Sequence, residues 1–381
     1  MRWDLLLYWR ELPTHGVGYD SRRGQFFPST ESEKPPRSPD RRPIDPPKTI
    51  RVDARRMDFQ QLELDGLILS HDLTRLGLVA RDVERAIAGG QLKRLRRGAF
   101  VRPALWAASS PAVQHLLRLR AAAAAAQARP VFARASAAAL WGAPLDHFPD
   151  AVVILDRWRG GGRSEPGVVK TARGASTAGI ATRHGFDCTN LARTVLDCCR
   201  RLPFAGAVPL LDWSLWERNP LAITKEELVA EASGMKVSPA TWRAVEFSTS
   251  LSGSVGESEA RAVIHQLGYL RPRLQVKFTD AAGDMYPDFY FEDDDAVAEF
   301  DGKTKYSRNE YTRGDPAEVL WREKKREDRL RSQVRIVVRI LTEDVRSPQL
   351  LHRKLAAAGI RRSVGESWHP LAGVTSPAAG H

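Results

Sequence analysis

The stretch from Gly283 to Tyr306, GDMYPDFYFEDDDAVAEFDGKTKY, restricts the fold more than any other part of the chain. Two runs rich in aromatic and β-branched residues, MYPDFYF and AVAEFD, flank the acidic turn Glu292 to Asp295, a strand, turn and strand pattern. Each run carries carboxylates, Asp288 in the first and Glu299 with Asp301 in the second. Side chains alternate along an extended strand, so Glu299 and Asp301 share one face and Phe300 takes the other. Lys303 and Lys305 follow directly. Oxygen ligands on neighbouring strands can hold Mg²⁺, which activates water and stabilises a leaving oxygen, while a lysine neutralises a phosphate. Asp288, Glu299 and Asp301 are therefore the candidate metal ligands, and Mg²⁺ is the expected cofactor. The acidic turn lacks the glycine and distal glutamate of an EF-hand loop and reads as a solvated turn.

The flanking pattern is helix, three strands, helix, strand. Ser254-Val-Gly-Glu257 opens a helix with Ala260, Val263, Ile264 and Leu267 at helical spacing, and Gly268 ends it. LQVKF is a first candidate strand, AEVLWREKKREDRLRSQ a charged helix with Trp321 on its packed side, and VRIVVRIL a buried final strand. Arg322, Lys324, Lys325 and Arg326 suit either phosphate contact or an ion-paired surface helix. Glu257, Pro287-Asp288, Glu299-Phe-Asp-Gly-Lys303 and the late Trp-Arg-Glu-Lys-Lys run together resemble the restriction-endonuclease-like superfamily with its PD-(D/E)xK signature, closest to the very-short-patch-repair branch. The resemblance covers about residues 252 to 360. It implies metal-assisted cleavage of DNA phosphodiester bonds by Asp288, Glu299 and Asp301, supported by Lys303 or Lys305, with Glu257 as a metal-linked helix glutamate. Two registers stay open. Asp301-Gly-Lys303 completes the signature literally, whereas Glu299 as the second acid leaves Asp301 where the lysine usually stands. Ser254 and Glu257 also have capping-box spacing, which alone explains the glutamate.

Upstream, residues 1 to 56 are rich in Pro, Arg, Ser and Asp, a composition that buries too little surface to fold, and they read as a disordered leader or an over-extended start. Order begins near Met57. Ser70 is a candidate N-cap for a helix through Leu76, with Gly77 as its stop. A second helix, Leu78 to Ala88, places Val79, Val83 and Ile87 on one face. Leu92 to Leu95, a turn at Arg96-Arg97-Gly98 and Ala99 to Arg102 form a hairpin. Helix, turn, helix and hairpin over residues 57–104 resemble a winged helix-turn-helix. That likeness gives Arg81, Arg85, Lys93, Arg94, Arg96 and Arg97 the DNA contacts, by helix and by wing.

Residues 105–250 read as mainly helical. Ser110-Pro111 and Thr224-Lys-Glu-Glu227 are helix starts, and AVVILDR, residues 151 to 157, is a buried strand. Arg159-Gly-Gly-Gly-Arg163 lacks the Gly-Lys-Ser/Thr ending of a phosphate loop and reads as a basic loop. His184, Cys188 and Cys198 fit core packing, with Cys198 on the apolar face beside Leu191 and Val195, and no Cys-His nucleophile is drawn from them. GQLKRLRRGAFVRP followed by helices and CTNLARTVLDCCRRLPFAGAVPLLDWSL resembles the AbiEi-type antitoxin family over about residues 57 to 245. That likeness implies operator binding and, as a partner, a nucleotidyltransferase toxin.

The sequence thus describes an α/β (α+β) multidomain chain. A winged helix-turn-helix spans 57–104 and a helical middle region 105–250. A mixed sheet flanked by helices spans 251–362, and a tail covers 363–381. The formal charge of +12, from 58 Lys and Arg against 46 Asp and Glu, favours polyanionic partners such as DNA. Three cysteines without zinc-ligand spacing suit a reducing cytoplasm. The alanine-rich run Ala121 to Ala126 is far below the ~20 residues of a membrane span.

Overall fold

The computed structural model describes residues 17–20, 25–28, 59–63, 65–156, 165–172, 179–235, 237–302 and 316–363. The fold is mixed α/β with several open sheets. It divides into two compact units that meet in sequence between Asn190 and Leu191. Among the described residues no helix is long and apolar enough to cross a membrane. Lys303, Lys305 and the loop Arg159–Arg163 lie outside the described residues, as does the tail beyond residue 363 and most of residues 1 to 56. Within that amino-terminal segment, β1 (Val17–Asp20) pairs antiparallel with β2 (Gln25–Pro28).

In the amino-terminal unit, β3 (Ile68–Leu69) leads into α1 (Ser70–Arg75) and α2 (Ala80–Ala88), then β4 (Lys93–Arg96) and β5 (Ala99–Val101). The three strands form one sheet with β5 in the centre. Gly77 adopts φ +79° just past α1, a left-handed turn that L side chains resist and that lets α2 start two residues later. Gly98, at φ +80°, turns the hairpin, and its carbonyl accepts from Ser70 N at 2.9 Å. Phe59, Ile68, Leu73, Leu78, Ala86, Leu92 and Phe100 make a small core, with Val83 and Ile87 packed on its edge. Val79 departs from its expected place on that apolar face. It is the residue before α2, is 61% exposed, and its amide donates to Asp82 Oδ2 at 3.0 Å. The cap wins because an orphan N–H at a helix start has to be satisfied.

The same unit continues with α3 (Pro103–Ala108), α4 (Pro111–Ala125), β6 (Val131–Phe132), α5 (Arg134–Trp141), β7 (Val152–Leu155), β8 (Val168–Thr171), β9 (Ile180–Arg183) and β10 (Phe186–Thr189). The five strands form one sheet in the order β8-β7-β6-β10-β9. The helical reading of this region anticipated one strand; four more pair with it. Ser110 caps α4 by accepting from Val113 N at 3.4 Å. Inside the core a polar chain is fully connected. Val153 N–H donates to Ser136 Oγ at 2.8 Å, the Ser136 hydroxyl lies 2.9 Å from His115 Nε2, and His115 Nδ1 lies 2.9 Å from the Pro149 carbonyl. A carbonyl only accepts, so Nδ1 carries the proton and Nε2 accepts from the serine. Burial holds His115 down to a pKa of about 4.

The carboxyl-terminal unit opens with four helices, α6 (Leu191–Cys199), α7 (Phe204–Leu215), α8 (Lys225–Met235) and α9 (Pro239–Phe247). Thr224 and Glu227 close the expected capping box, with N to Oε2 at 2.8 Å and N to Oγ1 at 3.1 Å. Cys198, expected on the apolar face, is only half-buried, and its neighbour Cys199 is the buried one. Burial pushes the Cys188 thiol up to about 12 and His184 down to about 4, a pairing unsuited to a nucleophile and base. The expected boundary at residue 250 does not separate compact bodies, because α10 (Val255–Gln266) packs directly on α7. A bidentate pair joins them, Arg261 Nη2 to Asp212 Oδ1 and Oδ2 at 3.0 and 2.8 Å, with both side chains buried.

Beyond α10 come the hairpin β11 (Phe278–Asp280) and β12 (Gly283–Met285), then β13 (Phe289–Phe291), β14 (Ala296–Asp301), α11 (Pro316–Arg331), β15 (Ile336–Leu341), α12 (Thr342–Arg346) and α13 (Pro348–Ala357). β14 is central, antiparallel to β13 and parallel to β15. Alternation gives the sheet two unlike faces. Phe289, Phe291, Ala296, Ala298, Phe300, Val338 and Ile340 pack with Ala260, Val263, Ile264, Leu351 and Leu355 from the helices beneath. The helix–sheet approach is close at Gly256, where a Cβ would stand 2.1 Å from the Phe300 ring. The other face carries the charges.

Candidate functional site

The register assembles this charged face. Phe289 lies opposite Ala298 as the last pair of the antiparallel ladder, and Asp288 stands in a bend just before β13. In the parallel ladder Glu299 lies beside Arg339 and Asp301 beside Leu341. Glu299, Asp301 and Arg339 thus fall on one face, the same-face reading of Glu299 and Asp301 included.

Asp288 Oδ2 accepts from Phe300 N at 2.8 Å, which fixes the carboxylate against the neighbouring strand. Glu299 is only 6% exposed. Its Oε1 lies 2.6 Å from Arg326 Nη2 yet makes no hydrogen bond, so the approach is an ion pair off the bonding angle. Arg326 Nη2 also reaches the Tyr286 carbonyl at 3.5 Å, two residues before Asp288. Asp301 Oδ2 accepts from Arg339 Nη1 at 3.2 Å, and Arg339 Nη2 donates to Glu327 at 2.7 Å. Hydrogen bonds from Arg331 and then Arg339 hold the Glu327 carboxyl below the usual range.

The remaining expected residues are placed as follows. Glu257 is used as a cap. Its Oε2 accepts from Gly253 N at 2.9 Å, its Oε1 from the Ser254 hydroxyl at 2.8 Å, and its own amide donates to Ser254 Oγ at 3.2 Å. Trp321, expected on the packed side of α11, is 56% exposed with Lys325 Nζ 3.4 Å from its ring centroid. The cation covers the ring that the helix does not bury. Arg339 was missed as a site residue, and only the pairing of β15 with β14 reveals it. Arg326 belongs to a run that suits either phosphate contact or an ion-paired surface helix, and it pairs with Glu299.

Among the described residues no group of three or more His, Cys, Asp or Glu side chains is gathered to hold a metal ion. Mg²⁺ needs fewer, since it is commonly held by one or two carboxylates plus water and phosphate oxygens. Asp288 and Glu299 are two carboxylates, and the buried Glu299 Oε1 makes no hydrogen bond, with the Arg326 guanidinium 2.6 Å away as its counter-charge. Asp288 and Glu299 are the two carboxylates that a Mg²⁺ site here would use. Asp301 is committed to Arg339 instead.

In the amino-terminal unit, Arg81, Arg85 and Arg97 are exposed, and Arg85 pairs with Asp82 at 2.9 Å. Arg94 pairs with Glu84 of α2 and lies over Phe100. Lys93 and Arg96 turn elsewhere, Lys93 over Trp106 at 5.3 Å and Arg96 toward Glu165 at 3.5 Å. The six basic residues are therefore brought to one hairpin and one helix but not to a single surface.

What fold and site define is a mixed α/β protein whose carboxyl-terminal unit sets Glu299 and Asp301 on one sheet face, with Asp288 bonded to the Phe300 amide between them in sequence. No protein-family model and no curated protein matches the chain. Among solved structures, the chain is similar to the RV2827C protein from Mycobacterium tuberculosis at 23% identity. That match covers 48% of this chain and 70% of the other with a TM-score of 0.30, too low to carry an argument about fold or function.

Proposed function

We propose that the chain is a DNA-binding protein whose carboxyl-terminal unit is a restriction-endonuclease-like domain cleaving DNA phosphodiester bonds with Mg²⁺. The observation that carries this reading is the Asp288 carboxylate bonded to the Phe300 amide of β14, next in sequence to Glu299, whose Oε1 is buried and free of hydrogen bonds. Bound Mg²⁺ would supply Lewis-acid activation of the phosphoryl oxygen and of a water. Asp288 and Glu299 would hold it, and the Phe300 amide keeps the Asp288 carboxylate oriented. Arg326, paired with Glu299, is the cation available to neutralise the phosphate, alongside Lys303 or Lys305. The helix, turn, helix and hairpin of residues 68–101 support a winged helix-turn-helix, with Arg81, Arg85 and Arg97 exposed for duplex contact. Plasmid nicking tests this: Mg²⁺-dependent activity abolished by EDTA and by Asp288→Ala is the expected result, and an Mg²⁺-independent result sinks it.

One observation favours a second reading. Arg326 and Arg339 already neutralise Glu299 and Asp301, as they would in a scaffold that binds without cleaving. In that case the chain is an antitoxin-type regulator with a protein partner such as a toxin. Duplex binding would then survive Asp288→Ala and fall on charge reversal at Arg94 and Arg97 in a gel shift.

A further inference from the structure

Behind the hairpin, a groove of about 490 Å³ runs between β4 and α4, lined by Lys93, Arg94, Arg96, Arg118, Trp106 and Asp150 among others. Four cations face one carboxylate in that lining, and the carboxylate is poorly placed to neutralise them. Asp150 is bonded to Arg118 at 2.6 Å but its side chain is 93% exposed. Arg94 has Glu84 as its partner outside the groove. Arg96 is mostly buried, its contact with Glu165 is long at 3.5 Å, and its Nε is buried without a hydrogen bond. A guanidinium withdrawn from water and incompletely paired is costly unless an anion completes it. Lys93 Nζ and Arg118 Cζ lie 5.3 and 4.7 Å from the Trp106 ring centroid, so the aromatic ring fixes two more cations at the same wall. Gln114 steadies that wall by donating to the Trp106 carbonyl at 2.9 Å.

We propose that this groove is a phosphate-binding site, with Arg96, Arg118 and Lys93 receiving a phosphate ester or diphosphate. Its volume suits a ligand of mononucleotide size, and guanidinium groups suit bidentate phosphate contact. The shared chemistry has two sources, a free phosphorylated ligand or the phosphodiester backbone of bound DNA. The site is independent of the carboxylate face in the other unit.

The test is calorimetric titration of the full chain with inorganic pyrophosphate in EDTA, which removes any metal-borne contribution. Saturable binding should weaken at least tenfold in Arg96→Ala/Arg118→Ala and stay within twofold in Arg200→Ala/Arg201→Ala, an exposed pair in the other unit, with thermal melts establishing that both variants fold. Arg118→Lys, which keeps the charge but not the fork, should lie between. Pyrophosphate that displaces a fluorescent duplex assigns the groove to the DNA backbone, and pyrophosphate that binds without displacing it assigns a free ligand. No saturable binding at millimolar pyrophosphate overturns the proposal, as does equal weakening by both double variants, which marks diffuse attraction to a basic surface.

Discussion

Replacing Asp212 by alanine should destabilise the carboxyl-terminal unit by about 4 kcal/mol. Asp212 is fully buried on α7 and binds both Arg261 of α10, at 2.8 and 3.0 Å, and the Thr249 amide at 2.8 Å. Removing one member of such a pair strands the other charge, a loss of about 3–5 kcal/mol, and the Thr249 amide adds about 1 kcal/mol where water does not replace the acceptor. Removing both charges together, as Asp212→Leu with Arg261→Met, should cost far less, within about 1–2 kcal/mol of wild type. Arg261 also donates to the Phe247 carbonyl at 3.0 Å, so residues 212, 247 and 261 are tied as one network. Urea denaturation followed by tryptophan fluorescence reads this well, because Trp213 beside Asp212 is itself buried. The unit spanning both sides of residue 250 should unfold in one transition, and Asp212→Ala should shift it whole. A loss below about 1 kcal/mol, or a variant that moves only one of two separate transitions, refutes the reasoning.

Gly256→Ala should destabilise the same unit by about 1–3 kcal/mol, since the new methyl meets the Phe300 ring at 2.1 Å in a packed core; chemical denaturation checks it. The His115 pKa lies near 4 in the fold against about 6.5 unfolded, so its contribution is present above pH 6.5 and lost as pH falls toward 4. Between pH 7 and 4, stability should fall by up to about 3 kcal/mol more in wild type than in His115→Gln, measured by paired urea titrations. Arg97→Glu should weaken duplex binding and flatten its salt dependence in a gel shift while leaving the melting temperature unchanged, because Arg97 is an exposed hairpin-turn residue.

Local grammar was legible in the sequence where one residue type answers one local demand. Gly77 as helix stop, Ser110 and Thr224 as helix starts and the Arg96 to Gly98 turn all follow from orphan amides or positive φ, which neighbours a few residues away decide. The faces of β14 were legible for the same reason, since alternation alone separates Glu299 and Asp301 from Phe300. Long-range pairing was not. Strands as short as Val131–Phe132 and Ile180–Arg183 carry too few residues to display a period, and the five-stranded sheet exists only once distant segments meet. Arg339 enters the site by register with Glu299, and Trp321 stands exposed with Lys325 over its ring, neither of which spacing announces.

The central claim, that Asp288 and Glu299 form a metal site acting on DNA, is tested most directly by crystals grown with a short duplex and Mn²⁺ in place of Mg²⁺. An anomalous peak bonded to carboxylate oxygens of both Asp288 and Glu299, with Arg326 turned to a DNA phosphate, is the result this account predicts. Duplex bound to the chain with no metal at that pair, and Arg326 still on Glu299, would contradict it.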